Sequence, residues 1–303
     1  MALQPLIEGL TLPEGMRWHG GRAWFSDMFH RAVCSMKEDG SDLRVEGQFD
    51  TPPAGLGWLP TGELLVALQH SRLLVRREPN GSFSTYAELT FISAGPINDM
   101  VVADDGTVYV GCHGFDIYED EPLVATGPLM RVAVDGELSV VGEPTHFANG
   151  ATIHNSTLII AESFANRISQ YDIMNDGTLR SRRDWAAFGS TPTAKILSER
   201  MIELEVAPDG ISGIDREGAI WVADFMGRRA VRVLPGGTIS DTIRTGDLSC
   251  YCVALGGMDG KTLFLCAAPA DIAAEAHERN PRGMIASYRE VPLASTNNKE
   301  VLA

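Results

Sequence analysis

Basic residues are in short supply in this 303-residue chain: 25 Lys and Arg stand against 40 Asp and Glu, for a formal charge of −15. A surface this acidic repels phosphate backbones and anionic membranes unless cations are gathered into a patch, and pairs such as Arg182-Arg183 and Arg228-Arg229 are isolated. Nucleic acid and membrane partners are therefore not expected. No run of about 18 apolar residues occurs, and the opening MALQPLIEGLTLPEG carries neither a basic n-region nor a long apolar stretch. A cytoplasmic location is expected. Cysteines number only five (Cys34, Cys112, Cys250, Cys252 and Cys266), scattered and odd in count, which argues against a disulfide framework. Cys250 and Cys252 fall on one face of a strand with no second Cys/His pair at zinc-site spacing, so all five read as reduced, buried strand residues. Helical periodicity is also scarce. Only ADIAAEAHER near residue 271 and AKILSERM near residue 194 carry it.

What the chain has instead is a repeat. Six times, a short strand, a Gly- or Asp-containing turn and a second strand rich in Trp, Tyr, Val and Leu follow one another. The copies begin at Glu14, Ala54, Asn98, Asn149, Asp209 and, roughly, Cys252. Their second strands read WFSD, LLVAL, VYVGC, LIIAE, IWVAD and LFLCA. Turns such as Thr61-Gly62, Asp105-Gly106 and Glu217-Gly218 have hairpin chemistry, and third strands such as LLVRREPNGS and AVRVLPGGT often follow. Six units of about 50 residues predict an all-β fold, a six-bladed β-propeller with four-stranded antiparallel blades, spanning residues 1–303 as one domain. The competing arrangement is a large sandwich of unrelated hairpins.

In a propeller the first strand of each blade lines the central channel, so the residues opening the repeats form a ring. Glu14, Asn98, Asn149 and Asp209 supply that ring with two carboxylates and two amides. Oxygen ligands without imidazole or thiolate suit a hard divalent cation, Ca²⁺, Mg²⁺ or Mn²⁺. Each dipeptide also has a plainer reading, since Asn149-Gly150 and Asp209-Gly210 suit Asx turns and Glu14 suits a capping role.

The ordered set Glu14-Gly15, Asn98-Asp99, Phe147-Ala148-Asn149-Gly150, Pro208-Asp209-Gly210-Ile211 with Gly218-Ala219-Ile220-Trp221-Val222-Ala223, and Ala254-Leu255-Gly256-Gly257 resembles the senescence-marker-protein, gluconolactonase and luciferin-regenerating-enzyme family over nearly the whole chain. That resemblance implies a six-bladed propeller binding one divalent cation, Ca²⁺ ahead of Mg²⁺, Mn²⁺ and Zn²⁺, and hydrolysing a small-molecule lactone. It implies Glu14, Asn149 and Asp209 as metal ligands and Asn98 as a contact to substrate or to a water on the metal. Sugar-lactone hydrolases of the family carry Arg two residues before the third-blade Asn, where this chain has Pro96. An Arg fork would hold a polyhydroxylated ring, and Pro offers no donor, so a less polar lactone is expected.

A cation so held would polarise the lactone carbonyl and activate a water. Asp209 would then act as the catalytic base or as a ligand only, and Asn98 would donate to the developing oxyanion. Two segments are candidate lids: Cys112–Tyr118, where His113, Phe115 and Tyr118 are candidate substrate contacts and His113 a candidate proton shuttle, and Thr191–Ala207 with its apolar Ile196, Leu197, Met201 and Ile202. Two other functions fit the same residues. One is a metal-dependent isomerase or condensing enzyme, and the other is a non-catalytic propeller that binds calcium or a protein partner.

Overall fold

The alternation of turns and β-rich runs becomes six four-stranded antiparallel sheets in a computed structural model that describes residues 3–270 and 274–293. The innermost strands are Pro13–His19, Pro53–Trp58, Ile97–Val102, Ala148–His154, Pro208–Ile214 and Ser249–Gly256. In the first five blades the four strands follow in chain order from the axis outward. The sixth departs from this. Ser249–Gly256, Thr262–Ala268 and Gly283–Arg289 are completed by Gln4–Leu10 from the other end of the chain, in register from Gln4↔Ser287 to Leu10↔Gly283. This pairing unites residues from the two ends of the chain in one blade and so closes the ring. The short helix Leu197–Ile202 falls within AKILSERM. Ala274–Arg279 falls within ADIAAEAHER, of which residues 271–273 lie outside the described residues.

The core lies between neighbouring blades, which explains why the second strands are continuous apolar runs rather than alternating ones. In Thr262–Ala268, Phe264 and Cys266 pack with Met16, Phe25 and Met36 of the first blade, while Leu263 and Leu265 pack with Trp221 and Ala223 of the fifth. A strand buried on both faces has no solvent side to make polar. All five cysteines are free and buried, and burial pushes the Cys34 thiol up to about 12, away from reactivity.

Glycine after the ring residues serves the axis rather than a turn. Asn149-Gly150 and Asp209-Gly210 both lie inside strands, and a Cβ on Gly150 would sit 2.7 Å from the Gly210 Cα. The inner strands approach too closely there for any side chain, so the Asx-turn reading gives way to a packing one.

A buried ion cluster braces the fourth blade beside the channel. Burial works against the charge of Glu162, but Arg167, the His146 N–H and Ser169 hold its pKa down at about 2. Arg167 donates to it from Nε and Nη2, both at 2.9 Å. A depressed carboxylate pKa stabilises the fold above the unfolded value, about 4.3, and that contribution is lost as pH falls toward 2. Arg167→Met should therefore cost up to about 3 kcal/mol at pH 7, with Arg182 as the remaining cation, and much less near pH 3. Urea unfolding of variant and wild type at both pH values checks this, and an equal difference at the two would refute it.

Candidate metal and substrate site at the channel mouth

In four of the six blades the second residue of the inner strand faces one end of the channel. Glu14, Asn98, Asn149 and Asp209 all occupy that place and all line a cavity of about 210 Å³. Ala54 holds the equivalent place in the second blade without lining it. The sixth blade contributes Tyr251 and not Cys252. A register shift between Cys250 and Cys252 turns Tyr251 outward, whereas Cys252 is core and accepts the Met16 N–H on its Sγ at 3.3 Å.

A second ring completes the cavity, and sequence reasoning largely missed it. Met28, Gln69, His113, Ser163 and Phe225 each stand one residue beyond the end of their blade's second strand, and all five line the cavity. The signal was present: the residue after WFSD, LLVAL, VYVGC, LIIAE and IWVAD. Its chemistry differs from blade to blade, which hid the equivalence.

Hydrogen bonds set the ligand atoms. Ser163 Oγ donates to the Pro208 carbonyl at 2.8 Å, because a carbonyl only accepts. Ser163 Oγ must then accept from Asn149, whose Nδ2 lies 3.1 Å away, which leaves Asn149 Oδ1 as an acceptor for a cation. Glu14 Oε2 accepts the Gly15 N–H at 2.9 Å. Asp209 Oδ1 is buried and has no hydrogen-bond partner among the described residues.

The electrostatics fit a divalent cation. Burial, then the charge of Asp209, pushes the Glu14 carboxyl well above the usual range, and burial, then Asp99, does the same to Asp209. Arg17 pairs with Asp99 at 2.7 Å and lowers the Glu14 carboxyl by less than burial and Asp209 raise it, so half-buried Glu14 and buried Asp209 stand as two carboxyls that repel each other. Among the described residues no three His, Cys, Asp or Glu side chains converge on a metal position, and Glu14, Asp209 and Asn149 offer two carboxyls and one amide at the cavity floor. Such an all-oxygen set of charge −2 suits a hard dication.

The remaining candidates divide. His113 and Tyr118 line the cavity, whereas Phe115 lies behind it, packed on Phe147 and Phe164 at 5.9 Å between ring centroids. His113 is 1% exposed, not a solvated loop residue, and burial, with a smaller contribution from His70, lowers its pKa to about 3. It is neutral near pH 7 and unsuited to shuttling protons there. Pro96 is buried, and its carbonyl accepts the His113 backbone N–H at 3.0 Å. Among the described residues no Lys or Arg lines the cavity, and Met28, Ile117, Phe147, Phe164, Leu197 and Met201 make its walls apolar.

The candidate lid Thr191–Ala207 is bridged to residues 122–124, just beyond the other candidate lid Cys112–Tyr118. Leu123 and Ile196 form an antiparallel bridge, with Val124 N–H donating to Lys195 O at 2.7 Å and Leu197 N–H to Pro122 O at 3.0 Å. Buried Arg200 clasps the short helix by donating to the carbonyls of Phe164, Ala194 and Pro192.

Fold and site together define a six-bladed propeller whose channel mouth holds an oxygen-lined floor beneath apolar walls. The chain belongs to the SMP-30/gluconolactonase/LRE-like family, whose defining region matches residues 12–269. It is 26% identical over 181 residues to an L-arabinolactonase of Azospirillum brasilense, a match spanning 58% of this chain and 55% of that relative. Its fold is similar to that of a luciferin-regenerating enzyme (TM-score 0.79, 18% identity, 99% of each chain). It is also similar to a calcium-binding protein, regucalcin, of Agrobacterium tumefaciens (TM-score 0.74, 16% identity, 98% of this chain and 96% of that one). Among the described residues no helix is long and apolar enough to cross a membrane.

Proposed function

We propose that the chain, acting as one propeller domain, is a lactonase that hydrolyses a small, weakly polar lactone with one divalent cation held by Glu14, Asn149 and Asp209. The observation that carries this reading is the orphaned, buried Asp209 Oδ1 in a cluster of charge −2 on the floor of an apolar cavity. The family's gluconolactonase name, the L-arabinolactonase relative and the calcium-binding regucalcin fold support it, with Ca²⁺ as the first candidate.

When bound, a divalent cation polarises the ester carbonyl and makes water a better nucleophile at neutral pH. Asp209 Oδ1 accepts the proton of the attacking water, since no donor among the described residues occupies it. The Asn98 amide donates to the oxygen on which negative charge develops. Ser163 keeps the Asn149 amide from rotating, and so presents its oxygen and not its NH₂. Phe147, Phe164, Leu197 and Met201 hold the ring of the substrate, with His113 and Tyr118 as its polar contacts and Phe115 supporting the wall from behind.

Reaction in ¹⁸O-water tests the reaction class. One label should enter the product carboxylate, and base should be consumed as acid forms. A product of unchanged mass, with solvent deuterium on carbon and no ¹⁸O, would make the protein an isomerase instead.

A further inference from the structure

Most polar side chains in the cavity are accounted for by the cation site, by Ser163 and by Tyr251, whose hydroxyl donates to Pro269 O at 2.9 Å. Gln69, His113 and Tyr118 remain, and they are joined. Tyr118 Oη donates to Gln69 Oε1 at 3.5 Å, and burial keeps that phenol protonated by pushing its pKa up. The amide is thereby oriented, so that Gln69 Nε2 faces His113 Nε2 at 3.4 Å. An amide nitrogen only donates, so His113 Nε2 must be the unprotonated, accepting nitrogen. An uncharged imidazole then carries its single proton on Nδ1.

That Nδ1 is buried and has no partner among the described residues. A buried donor left unpaired costs about 1–3 kcal/mol, which a ligand acceptor can recover. The ring is also held in place, stacked on Phe147 at 4.0 Å with planes 15° apart, while its backbone N–H is tied to Pro96 O. Charge decides what kind of acceptor fits. The imidazole is neutral, no Lys or Arg among the described residues lines the cavity, and a divalent cation held there would already be balanced by Glu14 and Asp209, so a carboxylate or phosphate substituent would be buried without a free counter-ion.

We propose that the His113 Nδ1–H is the specificity-determining group of this pocket, donating to one uncharged oxygen, a hydroxyl or keto group, carried on the lactone ring beyond the ester itself. Gln69, oriented by the Tyr118 hydroxyl, is the positioning residue that sets its tautomer. The proposal rests on the lactonase reading for its substrate, but not for its hydrogen-bond geometry.

The test pairs kinetics with spectroscopy. For γ-butyrolactone and its 2-hydroxy and 3-hydroxy derivatives, wild type should favour one hydroxylated ring by about tenfold in kcat/KM, the worth of one hydrogen bond near the top of the usual range. His113→Leu should collapse that ratio toward one. Imidazole ¹⁵N NMR at pH 7 should show His113 as the Nδ1–H tautomer, and Gln69→Leu should erode that bias, an effect that a purely structural role would not produce. An unchanged ratio in His113→Leu, absence of any hydroxyl preference in wild type, or an Nε2–H or doubly protonated ring would overturn the proposal. If wild type hydrolyses none of the lactones, the lactonase reading fails alone. Titration with the non-hydrolysable 3-hydroxy-2-pyrrolidinone then decides: a shift of the His113 Nδ1 resonance supports the subsite, and no shift refutes it.

Discussion

Asp209→Asn should lower kcat/KM for the preferred lactone by about 10²–10⁴-fold, the range for loss of a positioned general base, and should abolish stoichiometric Ca²⁺ binding. The substitution keeps the shape of the side chain. It removes one of the two carboxylate charges and replaces a buried oxygen that has no partner among the described residues. Thermal unfolding should separate this from a packing defect by a reversal of order. In chelator, the variant should melt above wild type, because the mutual repulsion of Asp209 with Glu14 and Asp99 is relieved. With Ca²⁺ at 100 times its Kd, wild type alone gains about 2.7 kcal/mol and should melt higher. The same melting order in both conditions, or full activity with metal still bound, would remove Asp209 from the site.

Glucono-1,5-lactone should be a poor substrate, at least about 100-fold below a γ- or δ-lactone bearing a single oxygen substituent. Each charge-assisted hydrogen bond is worth roughly 1.5–3 kcal/mol, and Pro96 with the surrounding walls supplies none. Hydroxyls placed against Met28, Ile117, Phe147 and Phe164 would be buried without partners at about 1–3 kcal/mol apiece. Initial rates over a lactone panel measure this directly. Gluconolactone emerging with the highest kcat/KM would show that Pro96 does not mark the loss of a sugar-binding contact.

Much of the architecture was legible along the chain because its causes are local. Hairpin turns such as Asp105-Gly106 depend on neighbouring residues, and runs such as LIIAE record burial on both faces, so the six repeats could be counted without coordinates. The ring of Glu14, Asn98, Asn149 and Asp209 was legible for the same reason, as the second position of a repeated strand. The closing strand Gln4–Leu10 was not, since its partner Gly283–Arg289 lies at the far end of the chain and pairing over such a distance leaves no periodic trace.

By itself the sequence determined the blade count, the all-β class and the oxygen-donor ring, each set by propensity, alternation and turn chemistry within a few residues. Only the tertiary structure decided what those residues experience. It made Gly150 and Gly210 axial spacers, moved the sixth-blade contribution from Cys252 to Tyr251 through one bulge, and put Phe115 behind the wall. It also buried His113 with an unpaired nitrogen beside Gln69, 44 positions away in the chain. Burial, register and the remaining partners of a polar atom depend on segments distant in sequence, and these set charge state and hydrogen-bonding role.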